Sequence, residues 1–164
     1  MQRNFLLNNN DKCSFHVVLF QPDIPPNTGN IARLCVATNS TLHLIKPLGF
    51  SLSDKKLKRA GLDYWKNLEL EIHDSLNDFL NKYKNRRFFL SSTKAKKAYF
   101  EVDFEKGDFL IFGSETKGLP EDFLMVFSER SVNIPMTHNV RSLNLAGSVA
   151  IVLYEAIRQV CFNR

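Results

Sequence analysis

Two apolar runs in the last third of the chain end in turns built from residues that can hold a small ligand. The first, Phe109-Leu110-Ile111-Phe112, stops at Gly113-Ser114-Glu115-Thr116-Lys117-Gly118-Leu119-Pro120. The second, Val132-Asn133-Ile134-Pro135-Met136, leads into Arg141-Ser142-Leu143-Asn144-Leu145. Each run reads as a buried strand, and each turn offers glycine, hydroxyl, amide or charged groups just beyond it. Ligands of α/β domains collect at such strand ends. A third polar turn, Ser91-Ser92-Thr93, follows the short strand expected from Arg87 to Leu90.

Several chemistries are excluded by spacing. The four histidines form no HxxxH or HExxH pattern and the three cysteines no CxxC pair, so no metal is expected. Gly113 and Gly118 have the spacing of a phosphate loop, but Leu119-Pro120 stands where Lys and Ser or Thr are required. A dinucleotide fingerprint needs several glycines after the first strand, and Asn27-Thr28-Gly29-Asn30 supplies one. The GxSxG elbow of serine hydrolases is absent. Spacing alone therefore leaves an α/β protein with an unassigned ligand site.

The elements that must position these turns alternate along the chain. A strand is expected at Phe15 to Phe20, a proline-broken loop from Gln21 to Asn30, a helix from Ile31 to Thr38 and a strand from Leu42 to Ile45. Ser53 is expected to cap a basic helix from Asp54 to Ala60. Further strands are expected at Leu68 to Ile72 and near Val132, and helices at Leu76 to Tyr83 and Glu121 to Phe127. Lys96 to Glu105 shows only a partial alternation. The pattern is α/β with a mostly parallel sheet and helices on both faces. The terminal helix, Ala146 to Val160, is apolar almost all round, which predicts burial on one side and a second subunit on the other.

At 164 residues the chain fits one domain, expected over residues 15–164, with residues 1–14 as a poorly ordered extension. The net charge of +5 leans toward an anionic partner, and basic residues bunch at Lys55, Lys56, Lys58 and Arg59, at Arg86 and Arg87, and at Lys94, Lys96 and Lys97. Three widely spaced cysteines point to a reduced, cytoplasmic protein. No membrane span or secretory leader is expected.

Three segments taken together go further. Pro25-Pro26-Asn27-Thr28-Gly29-Asn30-Ile31-Ala32-Arg33-Leu34-Cys35, the turn from Phe112 to Pro120, and Ile134-Pro135-Met136 with Arg141 to Leu145 resemble the three motifs of the SPOUT RNA 2′-O-ribose methyltransferases. Lys58-Arg59-Ala60-Gly61-Leu62-Asp63-Tyr64 and Tyr154-Glu155-Ala156 look like the small single-domain subfamily that modifies the wobble nucleotide of certain leucine tRNAs. The resemblance covers about Phe15 to Gln159.

It implies a C-terminal trefoil knot, S-adenosyl-L-methionine as methyl donor, a homodimer through the C-terminal helix, and tRNA as substrate, methylated on the 2′-hydroxyl of nucleotide 34 (cytidine or modified uridine). The same reaction at another tRNA or rRNA position, or an RNA-binding module without catalysis, are the alternatives. The implied catalytic residues are Arg33, Ser142 and Asn144. The implied cofactor residues are Ser91, Ser92, Gly113, Glu115, Ile134, Met136, Ser142 and Leu143, with Gly113 admitting close backbone approach. Asn27, Asn30, Arg33, Lys56, Arg59, Arg141 and Tyr154 are the implied tRNA contacts. Because a guanidinium stays protonated in proteins, Arg33 is expected to grip a phosphate. Ser142 and Asn144 are expected to hold the hydroxyl or the methionine end, and Glu115 to brace its loop. The sequence departs from the family where Ser114 and Lys117 replace Pro and Arg, and Ala146-Gly147 replaces a Ser-Asn pair.

Overall fold

The computed structural model describes residues 14–61 and 64–162, together with Leu7. The expected N-terminal extension therefore lies almost wholly outside the described residues. Among the described residues seven strands form one all-parallel sheet: β1 (His16–Phe20), β2 (Thr41–Ile45), β3 (Leu70–His73), β4 (Phe88–Ser91), β5 (Lys97–Ala98), β6 (Phe109–Phe112) and β7 (Ser131–Asn133). Their order across the sheet is β3-β2-β1-β6-β4-β7-β5. Five α-helices of the described residues surround it: α1 (Pro25–Ala37), α2 (Lys55–Gly61), α3 (Leu76–Lys82), α4 (Glu121–Val126) and α5 (Leu145–Phe162).

The central strands are apolar on both faces because both faces are covered. On one, α1 and α5 press Ile31, Cys35, Val149, Val152 and Leu153 against Val17, Leu19, Leu42, Leu44, Leu110 and Phe112. On the other, Phe79 of α3 and Phe123 of α4 meet Val18, Ile45, Leu90, Phe109 and Ile111. The second core has a polar annex in which the side chains of His16, His43 and His73 run in a hydrogen-bonded row beside Phe79, Tyr83 and Phe109. Burial lowers the pKa of all three rings, that of His43 to about 3, so they are uncharged at neutral pH.

The prolines of the first long loop start a helix instead of excluding one. Pro25 and Pro26 occupy the first turn of α1, where no intrahelical acceptor exists for their missing N–H groups, and Asn27 to Asn30 are helical. In α2 it is Asp54 that caps, accepting from Lys56 N at 2.7 Å, while Ser53 bonds to Ser51. Lys97-Ala98 gives a strand of two residues before a 3-10 turn at Tyr99–Glu101. The helix α5 is long and apolar enough to cross a bilayer, but six of its residues are buried in the protein's core. Cys35 is a free thiol packed in the core.

Two of the three basic clusters are partly spent inside the protein. Arg87 grips the buried carboxylate of Asp108 through Nε at 2.9 Å and Nη2 at 3.1 Å, and also reaches Glu105 and the carbonyl of Asp103. This fork ties the start of β4 to the start of β6. Lys94 and Lys97 pair with Glu121 and Glu129. Among the described residues no ion pair engages Lys55, Lys56 or Arg59. Arg87→Ala strands Asp108, which is 2% exposed, with only its bond from Glu105 N. Fully buried pairs cost about 3–5 kcal/mol to break. Because the guanidinium is 44% exposed, a loss nearer about 2 kcal/mol is expected in urea unfolding.

Candidate functional site

The C-terminal ends of β4, β6 and β7 open into one cleft of about 530 Å³. Ser91 ends β4 and Ser92 follows it, Gly113 to Leu119 follow β6, and Ile134 and Met136 follow β7. Ser142, Leu143 and Asn144 close it from the segment before α5. All eight residues implied as cofactor contacts thus line a single cavity, although Ile134 lies just beyond its strand. Thr116, Lys94, Glu121, Leu124 and Ser148 line it too. Sequence reasoning passed them over, since nothing in the order of residues marks a lysine on one turn as the partner of a glutamate on another. The Lys94 ammonium holds the Glu121 carboxyl below its ordinary range.

The turn after β6 is shaped by its main chain. Gly113 lies so close to Gly118 and Leu119 that a Cβ there would collide with their backbone. The turn makes this close approach to itself, and Gly113 also lines the cleft. Gly118 has φ of +68°, a left-handed conformation suited to glycine. Ser114, in place of the family's proline, accepts from Lys117 N through its hydroxyl at 3.1 Å and from Gly118 N through its carbonyl at 3.0 Å. The departure leaves the loop closed.

Glu115 braces this turn against the start of α1. Its carboxylate accepts from Asp23 N at 2.8 Å, Ile24 N at 3.1 Å and Asn27 Nδ2 at 3.1 Å. These donors include backbone groups at the positive end of the helix, where an anion is favoured. Thr116 adds a bond to Asp23 Oδ2 at 2.7 Å. Asn27 then passes the connection on, its Oδ1 accepting from Asn144 Nδ2 at 3.0 Å. Asn27 is 7% exposed with both ends of its amide engaged, so the implied tRNA contact is corrected to an internal bridge. Asn144 has a second duty: its Oδ1 accepts from Ala146 N and Gly147 N and caps α5. One amide hydrogen of Asn144 remains for a ligand.

Arg33 sits on the exposed side of α1, outside the lining of the cleft, with its guanidinium 4.9 Å from the centre of the Tyr64 ring. Asn30, Lys56, Arg59, Arg141 and Tyr154 are also exposed and line no part of the cleft. The structure therefore separates an inner pocket from an outer polar and basic surface.

Comparison with known proteins assigns this arrangement to a class. Residues 14–154 match the SpoU rRNA Methylase family, and the chain belongs to it. A relative from Methylovorus glucosotrophus, named tRNA (cytidine(34)-2′-O)-methyltransferase, is 50% identical over 146 residues, covering 88% of this chain and 95% of its own. A solved structure described as giving structural insights into the 2-OH methylation of C/U34 on tRNA is 48% identical with a TM-score of 0.87, covering 90% of this chain and 97% of the other. At the level of fold alone, an AdoMet-bound rRNA methyltransferase from Sinorhizobium meliloti matches at 23% identity and a TM-score of 0.80, covering 88% of this chain and 56% of its own.

Two glycines at this site should respond to the same substitution with opposite sign. Gly113→Ala forces backbone apart and is expected to cost about 1–3 kcal/mol, as overpacking does. Gly147, in the first turn of α5, has open space where a Cβ would go. Gly147→Ala is expected to gain about 0.5–1 kcal/mol. Denaturant titration of both variants checks the pair.

Proposed function

We propose that this chain transfers a methyl group from S-adenosylmethionine to the ribose 2′-hydroxyl of nucleotide 34, cytidine or a modified uridine, in leucine tRNAs. The observation that carries this reading is the convergence of the three motif segments on one cleft. Membership of the family and close similarity to proteins named for this reaction support it.

The cleft suits the donor. Its volume falls in the range of about 300–1,000 Å³ typical of small-molecule sites. Ile134, Met136 and Leu143 give apolar walls for a purine, and Leu143 is left 38% exposed there. The turns at Ser91-Ser92 and Gly113 bring main-chain groups to its edge. When bound, S-adenosylmethionine supplies a methyl group already activated on a sulfonium.

The chain's own residues then have to position the ribose and take its proton. In this reading Arg33, steadied by the Tyr64 ring, grips the phosphate next to the target through its planar fork. Ser142, exposed at the rim, and the remaining amide hydrogen of Asn144 hold the hydroxyl. Lys56, Arg59 and Arg141 extend the basic surface along which the tRNA backbone lies, with Asn30 and Tyr154 beside it. The protein acts in the cytoplasm as a homodimer.

Incubating the protein with unmodified tRNA and labelled donor, then mapping the methylated nucleotide, tests the reading. Label on the ribose of nucleotide 34 is expected. Label elsewhere reassigns the position, and none leaves an RNA-binding module. In the same assay Arg33→Ala should lose about a hundredfold or more in single-turnover rate. Arg33→Lys should retain part of the activity with a pH–rate profile parallel to wild type, and a displaced profile would restore Arg33 as the general base.

The dimer is assigned to the outward face of α5. Val152 points into the protomer's own core, 1% exposed, so a charge there would unfold the chain without reporting on assembly. Ile151 and Tyr154 face outward, Tyr154 being 48% exposed. Ile151→Glu is expected to sediment as a folded monomer at micromolar concentration, where wild type sediments as a dimer.

A further inference from the structure

The row of histidines on the α3 side of the sheet ends in a constellation with the shape of a metal site. Parallel pairing sets His43 beside Glu71 and Ile45 beside His73, so that His43, Glu71 and His73 project from one face of two neighbouring strands. His43 Nδ1 lies 3.1 Å from His73 Nε2 and 3.9 Å from Glu71 Oε2, and His73 Nε2 lies 3.9 Å from the same oxygen. A tetrahedral zinc ion bonded at about 2.0–2.1 Å keeps its ligand atoms about 3.3 Å apart. The observed triangle reaches that geometry with shifts of a fraction of an ångström.

The surroundings are those of a supported ligand set. His43 is fully buried, and its other ring nitrogen, Nε2, is 2.8 Å from His16 Nδ1. With the proton on Nε2 and donated to His16, the Nδ1 lone pair of His43 faces Glu71 and His73. The Glu71 carboxylate is oriented by the Tyr83 hydroxyl, which donates to Oε2 at 2.7 Å. A cation already sits on that oxygen: Lys82 Nζ is 2.7 Å away, on a side chain 57% exposed that can swing into solvent. Two neutral imidazoles and one carboxylate, with an ammonium as lodger, make a place that favours positive charge.

We propose that His43 Nδ1, His73 Nε2 and Glu71 Oε2 bind a zinc-type divalent ion, which displaces the Lys82 ammonium and leaves a fourth position open beside Glu71. The ion would pin the edge strand β3 to β2, independently of the methyl-transfer site, since none of these residues lines the cleft. No metal was expected from the sequence because His43 lies 28 and 30 residues before Glu71 and His73, and only the sheet register makes it their neighbour.

The test uses the full-length protein stripped with chelator and titrated with Zn²⁺ by calorimetry and with Co²⁺ by visible absorption. Wild type is expected to bind one ion per chain, with the intense d–d bands of a four-coordinate Co²⁺ site. At a free Zn²⁺ concentration about 100 times its Kd, its unfolding equilibrium should shift about a hundredfold. Glu71→Gln and His73→Gln should each remove that site. Lys82→Met should tighten it, and His16→Phe should weaken it about 10–100-fold. Glu71→Gln keeps the side-chain shape at a part-exposed position, so it decides the matter if His73→Gln does not fold. Absence of a stoichiometric site in wild type, or unchanged binding in folded Glu71→Gln, overturns the proposal. Methylation of tRNA is read separately, so failure of one reading does not mask the other.

Discussion

One amide group holds the site together. Asn27 receives a hydrogen bond from Asn144, 117 residues later, and gives one to Glu115, 88 residues later. Through it the start of α1, the turn after β6 and the cap of α5 occupy fixed positions relative to one another. An amide is suited to this because it presents a donor and an acceptor at opposite ends, and burial leaves neither end in competition with water. An aspartate there would set two carboxylates side by side, and a leucine would leave Glu115 and Asn144 each short of a partner.

Around that bridge, labour is divided between main chain and side chains. The turn after β6 owes its shape to two glycines and its peptide groups together with the side-chain bonds of Ser114, Glu115 and Thr116, yet it tolerates exchange at single positions. The exchange of Pro and Arg for Ser114 and Lys117 shows this tolerance, since the serine hydroxyl replaces a rigid ring with a hydrogen bond to Lys117 N. The outer surface works differently. Arg33, Lys56 and Arg59 are exposed, and the ring of Tyr64 narrows the guanidinium's freedom, which suits the phosphate grip proposed for it.

The sheet was legible in the sequence because buried parallel strands are short, apolar and ended by turn residues; Phe109 to Phe112 was readable to the residue. The start of α1 was not, because two prolines signal a break everywhere except in a first turn. The turns that wall the inner pocket were legible from the apolar runs they end, whereas the cofactor they would hold came only from the family resemblance, since no spacing rule connects the turns to a ligand. Asn27 looked like a surface amide and proved internal, and nothing along the chain marked Arg87 as the anchor of Asp108. Both have one origin: the partner of a polar residue is set by tertiary contact. The histidine row is the extreme case, invisible to any search along the chain.

The two rims of the sheet carry a consequence for how copies of the chain meet. At one rim β5 offers only the backbone of Lys97 and Ala98, preceded by Lys96; at the other, β3 is four residues long and carries Glu71. Short, charged rims give an incoming strand little to zip onto, which is how soluble proteins avoid runaway stacking into fibrils. Growth by strand addition is closed off at both ends, and a sheet of seven strands is left finite. Any specific association is thereby steered to helix faces, where contact terminates with a partner of the same kind and does not propagate.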